Sequence, residues 1–198
     1  MILVLATRNQ GKIQEIEKAL DLPLLEIRSL QDFPDLPEVV EDGRTFLENA
    51  FKKAQACAQA TGLPALADDS GLEVDCLNGA PGIYSARFSG PEATDEANNR
   101  KLLSLLEGIS EERRTARFVC RMVLHFPEGR WIQTEGFCPG IIAPQAQGKH
   151  GFGYDPIFYL PELKKTMAEI PLEEKNRISH RAQALQKIRF HLEAILKT

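Results

Sequence analysis

Between Ala116 and Phe126 the apolar residues Phe118, Cys120, Met122, Leu124 and Phe126 fall on every second position. A period of two belongs to a strand with one face buried, and so long a run needs neighbouring strands and a covering layer. The chain is therefore organised around a sheet. Residues 2–6 (ILVLA) are a short continuous apolar run, which suits a buried strand. The covering layer comes from helices. Over 46–61, Phe46, Ala50, Ala54 and Cys57 recur at spacings of three and four, and Thr45 with Glu48 forms a capping box at the start.

Around these anchors the other elements follow from punctuation. A helix of about ten residues begins after Thr7-Arg8-Asn9 and ends near Leu20, and residues 24–28 read as a strand. Residues 30–43, with Pro34, Pro37 and several acids, read as a loop. ALADDSG is a short strand ending in two carboxylates, followed by a separate strand at 72–76 and a Gly/Pro-rich loop at 78–91. A helix from Asp95 to about Glu107, strands near 131–135 and 139–143, and a last helix over about 180–197 complete the chain. Strands and helices mix without strict alternation. The expected class is α/β with α+β character, a long mixed central sheet with flanking helices. With 198 residues, no internal repeat and no low-complexity linker, residues 1–198 are expected to form a single domain.

The charge balance narrows the partners. Lys and Arg number 24 against 28 Asp and Glu, a net charge of −4. Duplex-binding proteins gain affinity by neutralising phosphates with a broad basic excess, so no stable nucleic-acid complex is expected. No apolar stretch approaches the roughly 20 residues of a membrane helix, which argues against a membrane partner. The positive charge follows the N-terminal apolar run, the reverse of a secretory signal, and a cytoplasmic protein is expected. Cys57, Cys76, Cys120 and Cys138 form no CxxC pair and the four histidines no HxxxH pair. That disfavours a tightly held transition metal and leaves open a hard cation held by carboxylates.

Six segments carry candidate chemistry. Thr7-Arg8-Asn9-Gln10-Gly11-Lys12 joins a buried strand to a helix start, where unpaired N–H groups and the helix dipole favour an anion. Asp68-Asp69-Ser70-Gly71 sets two adjacent carboxylates after a strand, and alternation sends them to opposite sides. Glu38, Glu41 and Asp42 supply further carboxylates, and a phosphate-bound Mg²⁺ needs only one or two. On helix 46–61, Lys52 pairs with Glu48 at i,i+4, whereas Lys53 shares a face with Asn49 near the buried stripe, a phase that suits either a lysine pointing to a cleft or one snorkelling along the apolar stripe to water. Residues 148–156 set three glycines around Phe152 and Tyr154, a loop able to stack an aromatic on a base. Lys175, His180 and Arg181 add donors before the last helix.

Taken together, LATRNQGK, EDGRTFLENAFKKA, ALADDSGLEVDCLNGAPGIYSARFSG, GFGYDPIF and EEKNRISHRAQAL resemble the inosine triphosphate pyrophosphatase family, in this order and from residue 5 to about 185. The resemblance implies a mixed sheet with two lobes around a central cleft, Mg²⁺ dependence, and usually a homodimer. It implies hydrolysis of ITP, dITP or XTP to the monophosphate and pyrophosphate. By the same resemblance Thr7, Arg8, Asn9, Gln10, Gly11 and Lys12 bind phosphate, and Glu41 is the acidic metal position. Asp69 is proton acceptor and metal ligand, with Asp68 and Ser70 beside it, and Lys53 is the helix lysine of the catalytic set. Phe152, Gly153, Tyr154, Asp155, Lys175, His180 and Arg181 fall on the base-binding segments. Arg8 and Val40 depart from the family pattern, where relatives often carry a small residue and, in some, a second acid. Two rivals stand beside this expectation: a pyrophosphatase for other modified nucleotides, and a nucleotide-binding module without turnover.

Overall fold

A computed structural model describes residues 1–197. Its helices are α1 (Gln10–Ala19), α2 (Phe46–Thr61), α3 (Asp95–Leu105), α4 (Leu172–Ile178) and α5 (His180–Leu196). Its strands are β1 (Ile2–Leu5), β2 (Glu26–Ser29), β3 (Ala65–Val74), β4 (Thr115–His125), β5 (Trp131–Ile142), β6 (Phe158–Leu160) and β7 (Lys165–Thr166). The strands form one mixed sheet in the order β2-β1-β3-β4-β5-β6-β7. β2, β1 and β3 are parallel, with Leu3 opposite Ile27 and Leu5 opposite Leu66. β5, β6 and β7 are antiparallel, with Ile142 opposite Phe158 and Leu160 opposite Lys165.

The mixed sheet and the helix over 46–61 match the expectation from the sequence. Two strand boundaries do not. Asp68-Asp69-Ser70-Gly71 is no strand end: β3 runs unbroken through it to Val74. Turn propensity is a weak local preference, and a strand with ladder partners on both sides, β1 and β4, overrides it. Likewise 131–135 and 139–143 are one strand, because Gly136–Cys138 continue the extended backbone of β5. The short helix α4 was not anticipated. It starts directly after Pro171, a residue that cannot donate to a preceding turn.

The chain divides into two compact units, one of residues 1–69, 120–136 and from 181 onward, the other of residues 70–119 and 137–180. In the first unit the sheet is covered on both faces. Leu3 and Leu5 of β1 pack with Ile13 and Ile16 of α1 and with Leu185, Ile188 and Leu192 of α5. Val4 and Ala6, pointing the other way, pack with Ala50, Ala54 and Ala58 of α2. β3 repeats the division: Leu66 belongs to the α1/α5 side, Ala65 and Ala67 to the α2 side. The second unit has its own core, including Leu72 and Val74 of β3, Leu102 of α3, Phe118 of β4, Phe158 of β6 and Met167. Among the described residues, no helix is long and apolar enough to cross a membrane.

Candidate active site

Strand parity places the first cluster. Asp69 continues the series Ala65, Ala67 toward α2, and its side chain is buried. From α2, the Asn49 amide donates to Asp69 Oδ2 at 3.1 Å and Lys53 Nζ lies 3.3 Å from Oδ1. Asn49 and Lys53 are four residues apart, hence on one helix face. Lys53 Nζ also lies 2.8 Å from Glu41 Oε1, so one ammonium joins two carboxylates from different segments. Asn49 Oδ1 accepts the Gly43 N–H at 2.8 Å, which ties the loop carrying Glu41 to the same helix. That approach needs a glycine: a Cβ at Gly43 would stand 2.5 Å from Asn49 Oδ1.

Burial dominates the electrostatics here. It pushes the Asp69 carboxyl above the usual carboxylate range, with Glu41 adding to the rise and Lys53, Lys12 and the Asn49 hydrogen bond opposing it. Burial also works against the Lys53 ammonium, but the Asp69, Glu41 and Asp68 charges outweigh it and hold Lys53 above an ordinary lysine. Lys52 is outside this group. It is exposed and pairs with Asp42 at 2.5 Å, a correction to the expected Glu48 partner. Glu48 is already engaged at the helix start, where its carboxylate accepts the Arg44 N–H at 2.7 Å and its own N–H bonds the Thr45 hydroxyl.

The second cluster lies on the other face of the same strand. Asp68 follows Leu66 toward α1 and α5, and its carboxylate is fully buried. Asp68 Oδ2 lies 3.0 Å from Lys12 Nζ and 3.1 Å from Arg181 Nη2. Arg181 also pairs with Glu15 of α1 through Nη1. Burial would lower the Arg181 pKa, yet Glu15 and Asp68 together raise it, so the guanidinium stays charged inside the protein. At the head of α1, Asn9 Oδ1 accepts the Lys12 N–H at 3.0 Å and Thr7 Oγ1 accepts the Asn9 N–H at 3.2 Å. The first turn, which includes Gln10 and Gly11, contains no acid to compensate the dipole. Arg8 is exposed, and its guanidinium donates to the Leu30 and Leu36 carbonyls at 3.3 Å each, fastening the following loop.

A third cluster belongs to the second unit. Lys175 Nζ and Asp155 Oδ2 are 2.5 Å apart, and both side chains are almost wholly buried. Asp155 Oδ2 also accepts the Phe152 N–H at 2.9 Å, while Lys175 Nζ sits 4.7 Å from the centre of the Phe152 ring. Tyr154 is buried and donates its hydroxyl to the Ser85 carbonyl at 2.9 Å. Burial, helped by the Asp95 charge, raises its pKa, so it stays a donor. The His180 ring stacks on Phe118 at 4.8 Å with 14° between planes. Ser70 is half-buried within β3.

Residues 3–191 match the Ham1 family. The chain belongs to the Ham1 family. It is 56% identical over 190 residues to the dITP/XTP pyrophosphatase of Geobacter sulfurreducens, covering 96% of each chain. It is 55% identical over 187 residues to that of Desulforamulus reducens, covering 94% of this chain and 93% of the relative. A HAM1 protein from Coxiella burnetii has the same fold, with a TM-score of 0.89 at 42% identity, over 98% of this chain and 99% of that one. The Staphylococcus aureus Ham1 protein gives 0.87 at 43% identity over the same shares.

Within this Ham1 chain, nine of the residues singled out from sequence gather in three groups, Glu41, Lys53 and Asp69; Lys12, Asp68 and Arg181; Phe152, Asp155 and Lys175, while Arg8 bonds the Leu30 and Leu36 carbonyls and His180 stacks on Phe118. Arg181 and His180 are chain neighbours, yet their side chains serve different groups. Glu15 was missed. Its signal was a charged residue between Ile13 and Ile16 at the buried phase of α1, where an unpaired carboxylate would be costly. Asn49 was visible as a face-mate of Lys53, but its hydrogen bonds to Gly43 and Asp69 were not. Asp95 and Asn99 of α3, which contact Gly153, had no signal beyond helix periodicity.

Proposed function

We propose that this Ham1 protein hydrolyses deaminated purine nucleoside triphosphates (dITP, XTP and ITP) at the α–β phosphoanhydride, releasing the monophosphate and pyrophosphate and so cleansing the nucleotide pool. The observation that carries the reading is the Asp69 carboxylate, buried, raised in pKa, and held by Asn49 and Lys53. Family membership and the relatives named dITP/XTP pyrophosphatase support the substrate class.

In this reading Asp69 takes a proton from water as the water oxygen bonds the α-phosphorus and the α–β bridging bond breaks toward pyrophosphate. A base works best with a pKa near the working pH, and burial moves Asp69 in that direction. Lys53 and Lys12 stabilise the charge that gathers on the phosphates, the leading demand of phosphoryl chemistry. Thr7 to Lys12 receive the phosphate chain at the α1 N-terminus. Phe152 to Asp155, Lys175 and His180 recognise the base. Arg181 joins them, its donors oriented in advance by Glu15 and Asp68.

The donor set suits Mg²⁺. Among the described residues no group of three or more His, Cys, Asp or Glu converges as a metal cage, whereas Glu41 and Asp69 already share one cation, Lys53. Mg²⁺ is commonly held by one or two carboxylates together with substrate phosphates. Glu41 and Asp69 would hold it, and when bound it would draw negative charge off the phosphates. With no internal repeat and no low-complexity linker, residues 1–198 are read as one pyrophosphatase domain. The family resemblance adds a homodimer, which sedimentation would check.

The test is product analysis over a panel of triphosphates with Mg²⁺ present. Pyrophosphate and monophosphate from dITP, XTP and ITP, with little from dATP or dGTP, are expected. Orthophosphate as the product, turnover only of modified pyrimidine triphosphates, or binding without turnover would each overturn the reading.

A further inference from the structure

We propose that α3 is a positioning helix for the base-recognition segment 152–155, with Asp95 and Asn99 holding the Gly153 peptide from both ends; this rests on the base role proposed above for that segment. Asp95 Oδ2 accepts the Gly153 N–H at 2.6 Å, and the Asn99 amide donates to the Gly153 carbonyl at 3.0 Å. The two side chains are four residues apart, on one face of α3 and one turn from each other.

Gly153 needs such a grip. It sits at φ +61°, a conformation most side chains avoid, and a Cβ built there would meet nothing within 4 Å. Nothing packs where a side chain would stand, and the two hydrogen bonds from α3 hold the backbone of Gly153. Asn98, the next residue on α3, acts one step further along. Its amide donates to the Ser85 carbonyl at 3.3 Å, the same carbonyl that accepts the Tyr154 hydroxyl. α3 thus holds Gly153 directly and Tyr154 through Ser85, while Asp155 holds the Phe152 N–H.

The composition of the helix points the same way. Asparagine is a poor helix former, and Asn98 and Asn99 are both buried in α3. Asn99 Oδ1 has no hydrogen-bond partner among the described residues, so its side chain is kept in the interior by the Gly153 bond. A polar residue retained at such a cost has a job at its one partner.

The test uses the whole protein and three variants. Asn99→Asp keeps the shape but turns an oxygen toward the Gly153 carbonyl in place of the amide donor. Asp95→Ala removes the acceptor, and Asp95→Asn retains one. For each, KM and kcat are measured with dITP and dATP, inorganic triphosphate is titrated as a competitive inhibitor, and a melting curve is recorded. In Asn99→Asp and Asp95→Ala the KM for dITP should rise about tenfold, more than kcat falls, and the dITP-to-dATP preference should narrow. Inhibition by inorganic triphosphate, which has no base, should stay within about twofold of wild type. Asp95→Asn should behave nearly as wild type.

Unchanged KM and preference in folded variants would overturn the proposal. So would a joint rise of KM and of the inhibition constant, since α3 would then support the fold in general. If Asn99→Asp does not fold, the exposed Asp95 pair decides alone. A wild-type protein that leaves dITP and XTP intact overturns the pyrophosphatase reading and this inference with it, an outcome distinct from failure of the variants in an active enzyme.

Discussion

Asp68 and Asp69 are consecutive in β3, yet their carboxylates meet different cations, Lys12 and Arg181 for the first and Lys53 for the second. The alternation of a strand turns one pair of adjacent acids into two sites. Asp69→Asn keeps the shape and the Lys53 neighbour but cannot accept a proton. Turnover of dITP should fall at least about 10²-fold with the melting transition preserved. Asp68→Asn should instead lower stability, because Arg181 would lose a buried counter-charge. Turnover assays beside urea denaturation of both variants check this, and near-normal turnover of a folded Asp69→Asn protein would move the base elsewhere.

The two lysines of α2 should separate as cleanly. Lys53 joins Glu41 to Asp69, whereas Lys52 meets the exposed Asp42 carboxylate, which it draws below the usual range. Lys53→Ala should cut kcat severely, and Lys52→Ala should leave kcat and the melting temperature close to wild type. Equal losses in both would contradict the assignment.

Arg181 is expected to matter twice. Arg181→Ala takes a buried counter-charge away from Glu15 and from Asp68, which keeps Lys12, and breaking a buried pair in this way typically costs about 3–5 kcal/mol. Calorimetry should show that loss. At a temperature where the variant is still folded, dITP hydrolysis should fall more than the slow dATP reaction, narrowing their ratio. Equal falls would assign Arg181 to phosphate or fold rather than to the base.

Gly151 offers a backbone test of the Phe152 segment. It sits at φ +75°, and a Cβ there would come within 2.0 Å of Asp155 Oδ2, the atom that holds Phe152 N–H and Lys175. Gly151→Ala should raise KM for dITP while inorganic triphosphate inhibits as before. Unaltered KM would remove the loop from base binding.

Two thiols set an alkaline limit. Burial pushes Cys57 and Cys138 up to about 11. A thiol whose folded pKa exceeds its unfolded value keeps its proton longer in the native state. Stability is therefore retained below the unfolded value, near 9, and declines as pH rises from 9 toward 11. The urea midpoint should fall across that window. In the native protein at pH 8, iodoacetamide should label both thiols about 100-fold more slowly than after unfolding.

Much of this protein is legible in its sequence because the signals are local. The alternation along 116–126, the apolar run at 2–6 and the capped stripe at 46–61 each reflect a single element meeting one buried face, and all three elements form where expected. The assignment of Asp68 and Asp69 to opposite sides, and of Lys53 rather than Lys52 to the carboxylates, also follows from local geometry of strand and helix. Other features depend on what neighbours do. β3 runs through Asp-Asp-Ser-Gly because adjacent strands satisfy its backbone, and β5 runs through Gly136 for the same kind of reason. Lys52 chose Asp42 over Glu48, and Arg8 chose the carbonyls of Leu30 and Leu36, through contacts that sequence spacing does not encode. The pairing of Arg181 with Glu15, 166 residues apart, has no periodic signature at all. Sequence alone determined the strongly patterned elements β1, β4 and α2 and the faces they bury, since those are set within a few residues by backbone geometry and hydrophobic pattern. Only the tertiary structure decided which charges meet, because a buried ion pair forms where folding brings two desolvated groups together, however far apart they stand in the chain.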